Sequence, residues 1–114
     1  MQEEYGSVDI ADNVIKEIAI RSALEYYGRS SKIVKKIKKS IEVERTPDDK
    51  IVISLRTDAP YGVPIPSFVS GLIERIKKDV EMMTSYAVDS VNITVEDVYE
   101  KEEKERVEEG EYSE

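Results

Sequence analysis

Apolar residues recur at helical spacing in two long stretches of the chain. The first predicted helix spans residues 13–27, with Asp12 as an N-cap that accepts hydrogen bonds from free amides, and it ends at Gly28, which enters the left-handed region without steric cost. The second spans residues 66–84 and begins at Pro66, since the first amides of a helix have no intrahelical partner. Its core-facing positions are Ile65, Phe68, Val69, Leu72, Ile73, Ile76, Val80 and Met83.

The first predicted helix carries apolar residues on two sides. One set is expected to face the core and comprises Val14, Ile15, Ile18, Ala19 and Tyr26. The second set is spaced i, i+4, i+7 on another side and comprises Ile20, Leu24 and Tyr27. Either Ile33 and Ile37 fold back over this second set, or a second copy of the protein covers it. We expect the internal cover, because a short loop costs little closure entropy compared with recruiting another molecule.

Alternation of apolar and polar residues predicts β-strands in the rest of the domain. Residues 40–45 and 50–57 flank a turn that contains proline, and they form a hairpin that ends at Pro60-Tyr61-Gly62. Residues 91–99 form a last strand, which returns after a helix and is expected to lie parallel to a hairpin strand. Apolar and polar residues alternate only briefly in residues 6–10, and this pattern is compatible with a short edge strand or an extended lead-in.

These elements predict an α+β fold. We expect a single small domain with about three strands in one sheet, two main helices on one face, and the order (β)αββαβ. The domain covers residues 6–99, after a lead-in at residues 1–5 and before an acidic tail at residues 100–114. The spacing of the apolar residues in residues 31–39 predicts an additional short basic helix. Their β-branched residues leave a strand as the alternative.

No cysteine or histidine occurs among the 114 residues. Disulfides, thiolate nucleophiles, Cys-ligated zinc and the usual general base are therefore excluded, and we expect neither enzymatic activity nor a cofactor or metal. The N-terminus is acidic and lacks an apolar run, and no stretch approaches the roughly 20 apolar residues of a membrane span. We expect a cytoplasmic protein, peripheral at the membrane only through a partner.

The net charge of −8 is unevenly distributed along the chain. Residues 29–39 hold six cations and no acid, whereas residues 100–114 hold eight glutamates and three basic residues. The basic segment is compatible with a solvated face, with a surface for anionic lipid or an acidic partner, and with nucleic-acid contact. The tail has too few apolar residues to fold alone, so we expect disorder; in an alternative interpretation it screens a basic segment of its own or a neighbouring chain.

Four segments occur together in a pattern typical of one family. They are Gly6-x-Val-x-Ile10, Val14-Ile15-x-x-Ile18-Ala19, YGVPIP at 61–66 and VEMMTSYAVDSVNITVEDV at 80–98. Over this span the chain resembles the alkaline shock protein family of bacterial envelope-stress proteins. The resemblance implies a small cytosolic non-enzyme that assembles with copies of itself or reaches the membrane through an anchoring partner, and it carries over no active-site residues. Ala11 and Ser85 stand where it leads us to expect a capping serine and a glycine.

The favoured function is that of a non-catalytic scaffolding or envelope-stress protein, which self-associates and docks to a membrane-anchored or acidic protein partner. The alternative is an RNA-binding module of KH-like layout, although the chain lacks the Gly-x-x-Gly loop that such modules use. The residues that we expect to bind a partner are Arg29, Lys32, Lys35, Lys36, Lys38, Lys39, Ile20, Leu24 and Tyr27.

Overall fold

The computed structural model describes residues 6–28 and 31–100. Its elements, in chain order, are α1 (Asp12–Tyr27), α2 (Ser31–Ser40), β1 (Glu42–Arg45), β2 (Ile51–Pro60), α3 (Ile65–Thr84) and β3 (Val88–Tyr99). The α+β prediction is confirmed, and the basic segment is a helix rather than a strand. The predictions for residues 1–5, for Arg29 and for the tail beyond residue 100 lie outside the described residues.

The sheet has three strands in the order β1-β2-β3, antiparallel between β1 and β2 and parallel between β2 and β3. In the parallel pair Ile53 lies opposite Val91, and Leu55 lies opposite Ile93. β2 is longer than predicted and ends at Pro60, because β3 continues beside it to Tyr99. A proline is tolerated there because β1 ends opposite Ser54 and it is the amide of Tyr61 that bonds β3, so no neighbouring strand needs the amide that Pro60 lacks.

Of the two possibilities for residues 6–10, the structure has the lead-in and not the edge strand, because this segment has no strand partner among the described residues. Side chains satisfy its last backbone groups instead. The amide of Ile10 donates to the hydroxyl of Tyr86 (3.2 Å), and its carbonyl accepts from the guanidinium of Arg45 (2.9 Å). Because Ile10 is paired in this way and residues 6–9 are exposed to water, the lead-in needs no ladder.

One core lies between the helices and one face of the sheet. Ile51, Ile53 and Leu55 of β2 form its floor. The side chains that cover this floor are Ile15, Ile18 and Ala19 of α1 and Leu72, Ile76 and Val80 of α3. Burying side chains of this size stabilises a domain by about 1.5 to 3 kcal/mol each, so this layer holds the fold.

Two residues predicted to face the core are exposed. Val14 is 48 % exposed and Met83 is 63 % exposed. Both flank the line along which α1 and α3 pack on the sheet, and a sheet of three strands is too narrow to cover the full width of both apolar stripes. Thr84 is buried instead, with its hydroxyl donating to the carbonyl of Val80 (2.7 Å).

Both helix ends that the sequence marked as unusual lack the expected capping residue. The N-cap of α1 is Ala11 and not Asp12, and it makes no side-chain capping bond. Asp12 instead accepts a hydrogen bond from Arg45 (3.3 Å). Ser85 caps the C-terminus of α3 in the left-handed region with φ 66°, where glycine is the usual residue. The left-handed cap of α1 at Gly28 is as predicted.

An aromatic contact fixes the distance between α1 and α3. The hydroxyl of Tyr26 donates to the carbonyl of Phe68 (2.7 Å), and the two rings lie 5.1 Å apart. Gly71 lies one turn further along α3, where an added Cβ would overlap the Tyr26 hydroxyl and lie 3.1 Å from Cζ of the ring. A glycine at this position therefore permits the close approach of the two helices.

Candidate functional site

Helix α2 takes the place of a strand beside β2. β1 pairs with β2 only up to Ser54, and two positions further in that register Ser40 would lie beside Arg56. The amide of Arg56 indeed donates to the hydroxyl of Ser40 (2.9 Å), which is the last residue of α2. One turn earlier, Lys36 reaches Asp58. α2 therefore runs antiparallel to β2, with its N-terminus toward Pro60.

The apolar side of α2 is buried in the core. Ile33 is 3 % exposed and Ile37 is fully buried. Both belong to the same cluster as Ile20, which is 7 % exposed. The internal cover predicted for the second stripe of α1 is therefore confirmed at Ile20. Leu24 and Tyr27 are half-buried and keep some exposed surface.

Tyr27 is tied to β2 by its hydroxyl. This group hydrogen-bonds the Thr57 hydroxyl (2.9 Å) and donates to the carbonyl of Asp58 (2.8 Å). Burial raises the pKa of Tyr27 to about 12, although the hydrogen bond with Thr57 opposes this shift. Contact of Ile20, Leu24 or Tyr27 with a partner stays a prediction. Ile20 packs in the core and Tyr27 is bonded to β2, whereas Leu24 is half-buried.

The opposite side of α2 faces a groove of about 820 Å³. Its helical wall is formed by lysines spaced i, i+3, i+4, i+7, namely Lys32, Lys35, Lys36 and Lys39. The other wall is the sheet face that α1 and α3 leave open. Its polar side chains are Ser54, Arg56, Asn92, Thr94 and Glu96, and Glu42 lies at one end.

Two carboxylates neutralise only part of this positive charge. The ammonium group of Lys36 lies 2.8 Å from Asp58 and 3.3 Å from Glu96. The second oxygen of Glu96 lies 3.2 Å from Arg56. The hydrogen bond to Asp58, reinforced by Glu96, raises the pKa of Lys36 above its ordinary value despite some desolvation. Lys36 and Arg56 are therefore held in place as part of the groove floor.

Four other lysines of α2 are exposed, and within residues 6–28 and 31–100 they form no ion pair. They are Lys32, Lys35, Lys38 and Lys39. Ammonium groups at this density attract carboxylates and phosphates from a distance. The chemistry that the site offers is thus the binding of an anionic group along one helix face.

The sheet wall of this groove was missed by sequence reasoning. Asn92, Thr94 and Glu96 are the polar half of an alternating strand, and this pattern predicted only that they point away from the core. Nothing in the sequence placed α2 beside β2, so the pattern did not show that these residues share a groove with the lysines.

A second groove, of about 490 Å³, lies between α1 and α3. Val14 and Met83 give it an apolar lining, and Glu17 and Arg21 lie on its α1 side. Met82, which is 67 % exposed, adds apolar surface on the same turn of α3. Exposed apolar groups that cluster between charged residues are typical of protein contact sites.

The charges along the α1–α3 contact are neutralised, in contrast to those of α2. The hydroxyl of Ser22 donates to Asp79 (2.6 Å), and Arg75 bonds both Asp79 (3.1 Å) and Glu25. Burial acts to raise the pKa of Asp79, but the hydrogen bonds from Ser22 and Arg75 outweigh it, and the pKa lies below its ordinary value. This network closes the contact between the two helices.

No helix within residues 6–28 and 31–100 has the length and apolar character that crossing a membrane requires. A comparison with curated proteins finds no match. Residues 1–100 match the alkaline shock protein 23 family, which is described by a cell envelope-related function. This match covers the whole described domain, in agreement with the resemblance read from its segments. The chain therefore belongs to the alkaline shock protein 23 family.

Proposed function

We propose that this protein is a non-catalytic scaffolding or envelope-stress protein, which docks to an acidic or membrane-anchored protein partner and associates with copies of itself. The family's envelope-related function supports this role. The observation that carries the docking is the set of four exposed lysines on α2 that no carboxylate of the described residues neutralises, namely Lys32, Lys35, Lys38 and Lys39. A protein whose net charge is −8 has few other surfaces that attract an acidic partner.

Docking through α2 is tested by charge reversal. The variant Lys35→Glu with Lys39→Glu removes two cations from the groove, and Lys77→Glu with Lys78→Glu on the exposed side of α3 is its matched control. Tagged wild-type and variant proteins are used to recover partners from native membranes. We expect the α2 variant to lose its partner and the α3 variant to keep it. Wild-type recovery should also weaken between low and physiological salt, because the Debye length falls to roughly 8 Å.

The same recovery separates the proposal from RNA binding. A phosphate backbone would also be attracted by the lysines of α2. Cargo that is RNA and disappears on nuclease treatment would overturn docking to a protein and favour the KH-like alternative. If the two charge-reversed variants recovered equal amounts of partner, α2 would be an ordinary solvated face that does not bind the partner.

Self-association is assigned to the groove between α1 and α3, with a second copy as its occupant. Val14 and Met83 offer apolar area, and Glu17 and Arg21, which lie 2.7 Å apart and are both exposed, provide one charge of each sign. Across a two-fold axis the apolar side chains of one copy would cover those of the other, and the pair of Glu17 and Arg21 would leave no uncompensated charge at the contact.

We expect Met83→Glu to lower the mass of the assembly in sedimentation velocity, because a carboxylate on this surface has to be desolvated on association. Lys77→Glu, on an exposed position of the same helix, is the control and should leave the mass unchanged. A folded Met83→Glu variant with wild-type sedimentation would exclude this surface.

A further inference from the structure

We propose that the basic groove beside α2 is a docking site for the acidic C-terminal segment of the same chain, residues 100–114. This segment then competes with any acidic partner for the lysines of α2. Competition with a partner rests on the proposed function, whereas occupation of the groove by the segment does not.

Charge complementarity is the first argument. The segment carries eight glutamates and three basic residues, a net charge of −5. The groove faces it with three of the lysines that no described carboxylate neutralises, Lys32, Lys35 and Lys39. Elsewhere in the chain no eleven residues bring together six cations without an acid, as residues 29–39 do. The most acidic segment and the most basic surface of this protein therefore match each other.

Position and reach are the second argument. β3 ends at Tyr99 opposite Pro60, and the N-terminus of α2 points toward the same end of the sheet. The segment thus begins where the row of lysines begins. Its 15 residues span up to about 50 Å when extended, whereas the ten residues of α2 are about 15 Å long. It is long enough to pass every lysine of the groove.

The strand that leads to the segment already places a carboxylate in the groove. Glu96 lies four residues before Glu100 and bonds both Lys36 (3.3 Å) and Arg56 (3.2 Å). Because α2 begins at the end of the sheet where β3 stops, we expect the chain to turn back beyond Tyr99, so that the following glutamates make the same kind of contact along the helix. A concave groove with one helical and one strand wall also fits an extended chain better than a flat membrane surface.

Tethering makes a weak interaction sufficient. Each exposed ion pair contributes only about 0 to 1 kcal/mol. A segment joined directly to the end of β3 nevertheless acts at an effective concentration in the millimolar range. The segment therefore fills the groove at low salt without binding tightly, and an acidic partner can displace it.

A spin label on the segment tests this directly. The chain contains no cysteine, so Ser113→Cys provides a single attachment point in the full-length protein. We expect the nitroxide to broaden the backbone amide signals of Lys32, Lys35 and Lys39 more than those of Val14 and Lys77, and 1 M salt, with a Debye length of about 3 Å, to remove the difference. Uniform broadening, or preferential broadening near Val14, would overturn the proposal.

The label also distinguishes the same chain from a neighbouring one. One protein carries the spin label and no nitrogen-15, and the other carries nitrogen-15 and no spin label. In a mixture of the two, broadening reports only contacts between molecules. We expect none at the groove. Broadening of the groove signals in this mixture would place the segment on another copy and overturn the assignment to its own chain.

Charge removal provides a matched binding test. A full-length variant in which Glu102, Glu103, Glu105, Glu108, Glu109 and Glu111 are glutamine keeps the length of the segment. A peptide of residues 100–114 should bind this variant roughly twofold or more tightly than it binds the wild type, because no tethered competitor is present. Equal affinity for both proteins would contradict occupation of the groove.

The outcomes for partner recovery separate the two proposals. If both hold, the glutamine variant recovers more partner than the wild type, and the Lys35→Glu, Lys39→Glu variant recovers less. If only docking holds, the glutamine variant recovers the wild-type amount. If docking fails and the segment still fills the groove, the spin-label result stands while the lysine variant loses no partner.

Discussion

The contact between α1 and α3 and the groove beside α2 both bring cations close to carboxylates, but with opposite outcomes. Between α1 and α3, Arg75 is shared by Asp79 and Glu25, and Ser22 completes the network. Beside α2, Lys36 and Arg56 are paired, while the other lysines on the same helix face have no ion-pair partner among the described residues. The first arrangement uses its charges to join two helices of one chain.

The difference identifies which surface is available to an acidic chain. A cation with a carboxylate partner in the same domain gains little from a second one, because its charge is already compensated. An uncompensated row of lysines attracts an acidic chain and costs the fold little as long as it stays in water. Stability and binding therefore depend on different residues, and substitutions should separate the two.

The largest expected effect is on the core beneath the α1–α3 contact. Ile76→Ala should lower the free energy of unfolding by about 2 to 5 kcal/mol, because the side chain is fully buried between α3 and the sheet. Urea denaturation followed by circular dichroism gives the value. Met83→Ala on the exposed side of α3 is the control and should change the stability by less than about 0.5 kcal/mol. Similar losses in both variants would mean that α3 presents a different face to the core.

The approach of α1 to α3 is tested at Gly71. Gly71→Ala should lower the stability by about 1 to 3 kcal/mol, because the new Cβ overlaps the hydroxyl of Tyr26 and this outweighs the better helix propensity of alanine. The same substitution combined with Tyr26→Phe should cost less than it does alone, since the overlapping oxygen is gone. Additive losses in this double-mutant cycle would rule out the contact as the cause.

The C-terminal end of α1 is also held in place, because the hydroxyl of Tyr27 is hydrogen-bonded to β2. Alkaline pH tests this contact. The pKa of Tyr27 is raised to about 12 in the folded protein, so the unfolded chain loses this proton first as the pH rises. The resulting contribution to stability is present below pH 10 and is lost between about pH 10 and 12. Tyr27→Phe should cost about 1 to 3 kcal/mol at neutral pH, because it leaves the hydroxyl of Thr57 and the carbonyl of Asp58 each with one hydrogen-bond partner fewer.

Urea titrations between pH 9 and 11.5 measure this alkaline loss. Tyr61→Phe is the control, since Tyr61 is 68 % exposed. We expect the control to keep the wild-type slope of stability against pH and Tyr27→Phe to reduce it. Equal slopes in the two variants would show that another group titrates.

Acid should loosen the network between α1 and α3. The pKa of Asp79 is lowered in the folded protein, so its contribution is present above the unfolded value, about 4, and is lost as the pH falls through the folded value. Asp79→Asn should lower the stability at pH 7 by roughly 1 kcal/mol and flatten its dependence on pH below 4. Asp89→Asn, at an exposed position of β3, is the control for acid titration. A pH dependence that Asp79→Asn leaves unchanged would assign the acid loss to other carboxylates.

The smallest effect on stability is expected at the open groove. Lys35→Glu with Lys39→Glu should change the free energy of unfolding by less than about 0.5 kcal/mol, because neither lysine has an ion-pair partner among the described residues. Arg75→Glu should cost more, since it places a third carboxylate beside Asp79 and Glu25. A lysine variant that is less stable than Arg75→Glu would contradict this contrast between the two regions.

Periodicity predicted the long elements well because each buries a continuous apolar stripe. The helices at residues 13–27 and 66–84 and the strand ending at Tyr99 agree with the structure within one residue where they end. For residues 6–10 the pattern left an edge strand and a lead-in open, because two alternating apolar residues specify no partner. Val14 and Met83 failed because a helical stripe does not reveal how wide the sheet beneath it is.

The candidate site was predictable only in part. The density of cations identified the lysines of α2, and the need to cover Ile20 correctly implied that Ile33 and Ile37 fold back. The opposite wall of the groove depends on α2 lying where β1 stops, which is a matter of tertiary packing. The pairing of Lys36 with Asp58 follows from the same placement, so the sequence did not separate this structural lysine from its neighbours.

The position of Ser40 also affects how the sheet meets other sheets. Beyond Ser54 the backbone of β2 would present unpaired groups to any passing strand, but α2 covers them and its last hydroxyl binds the amide of Arg56. β1 is a poor template for a foreign strand, since it has four residues and three of them are charged. Among the described strands only β3 keeps a long outer edge. If two copies paired through that edge, the long edge of each copy would be occupied by the other. Strand pairing would therefore stop at a dimer instead of propagating into a fibre.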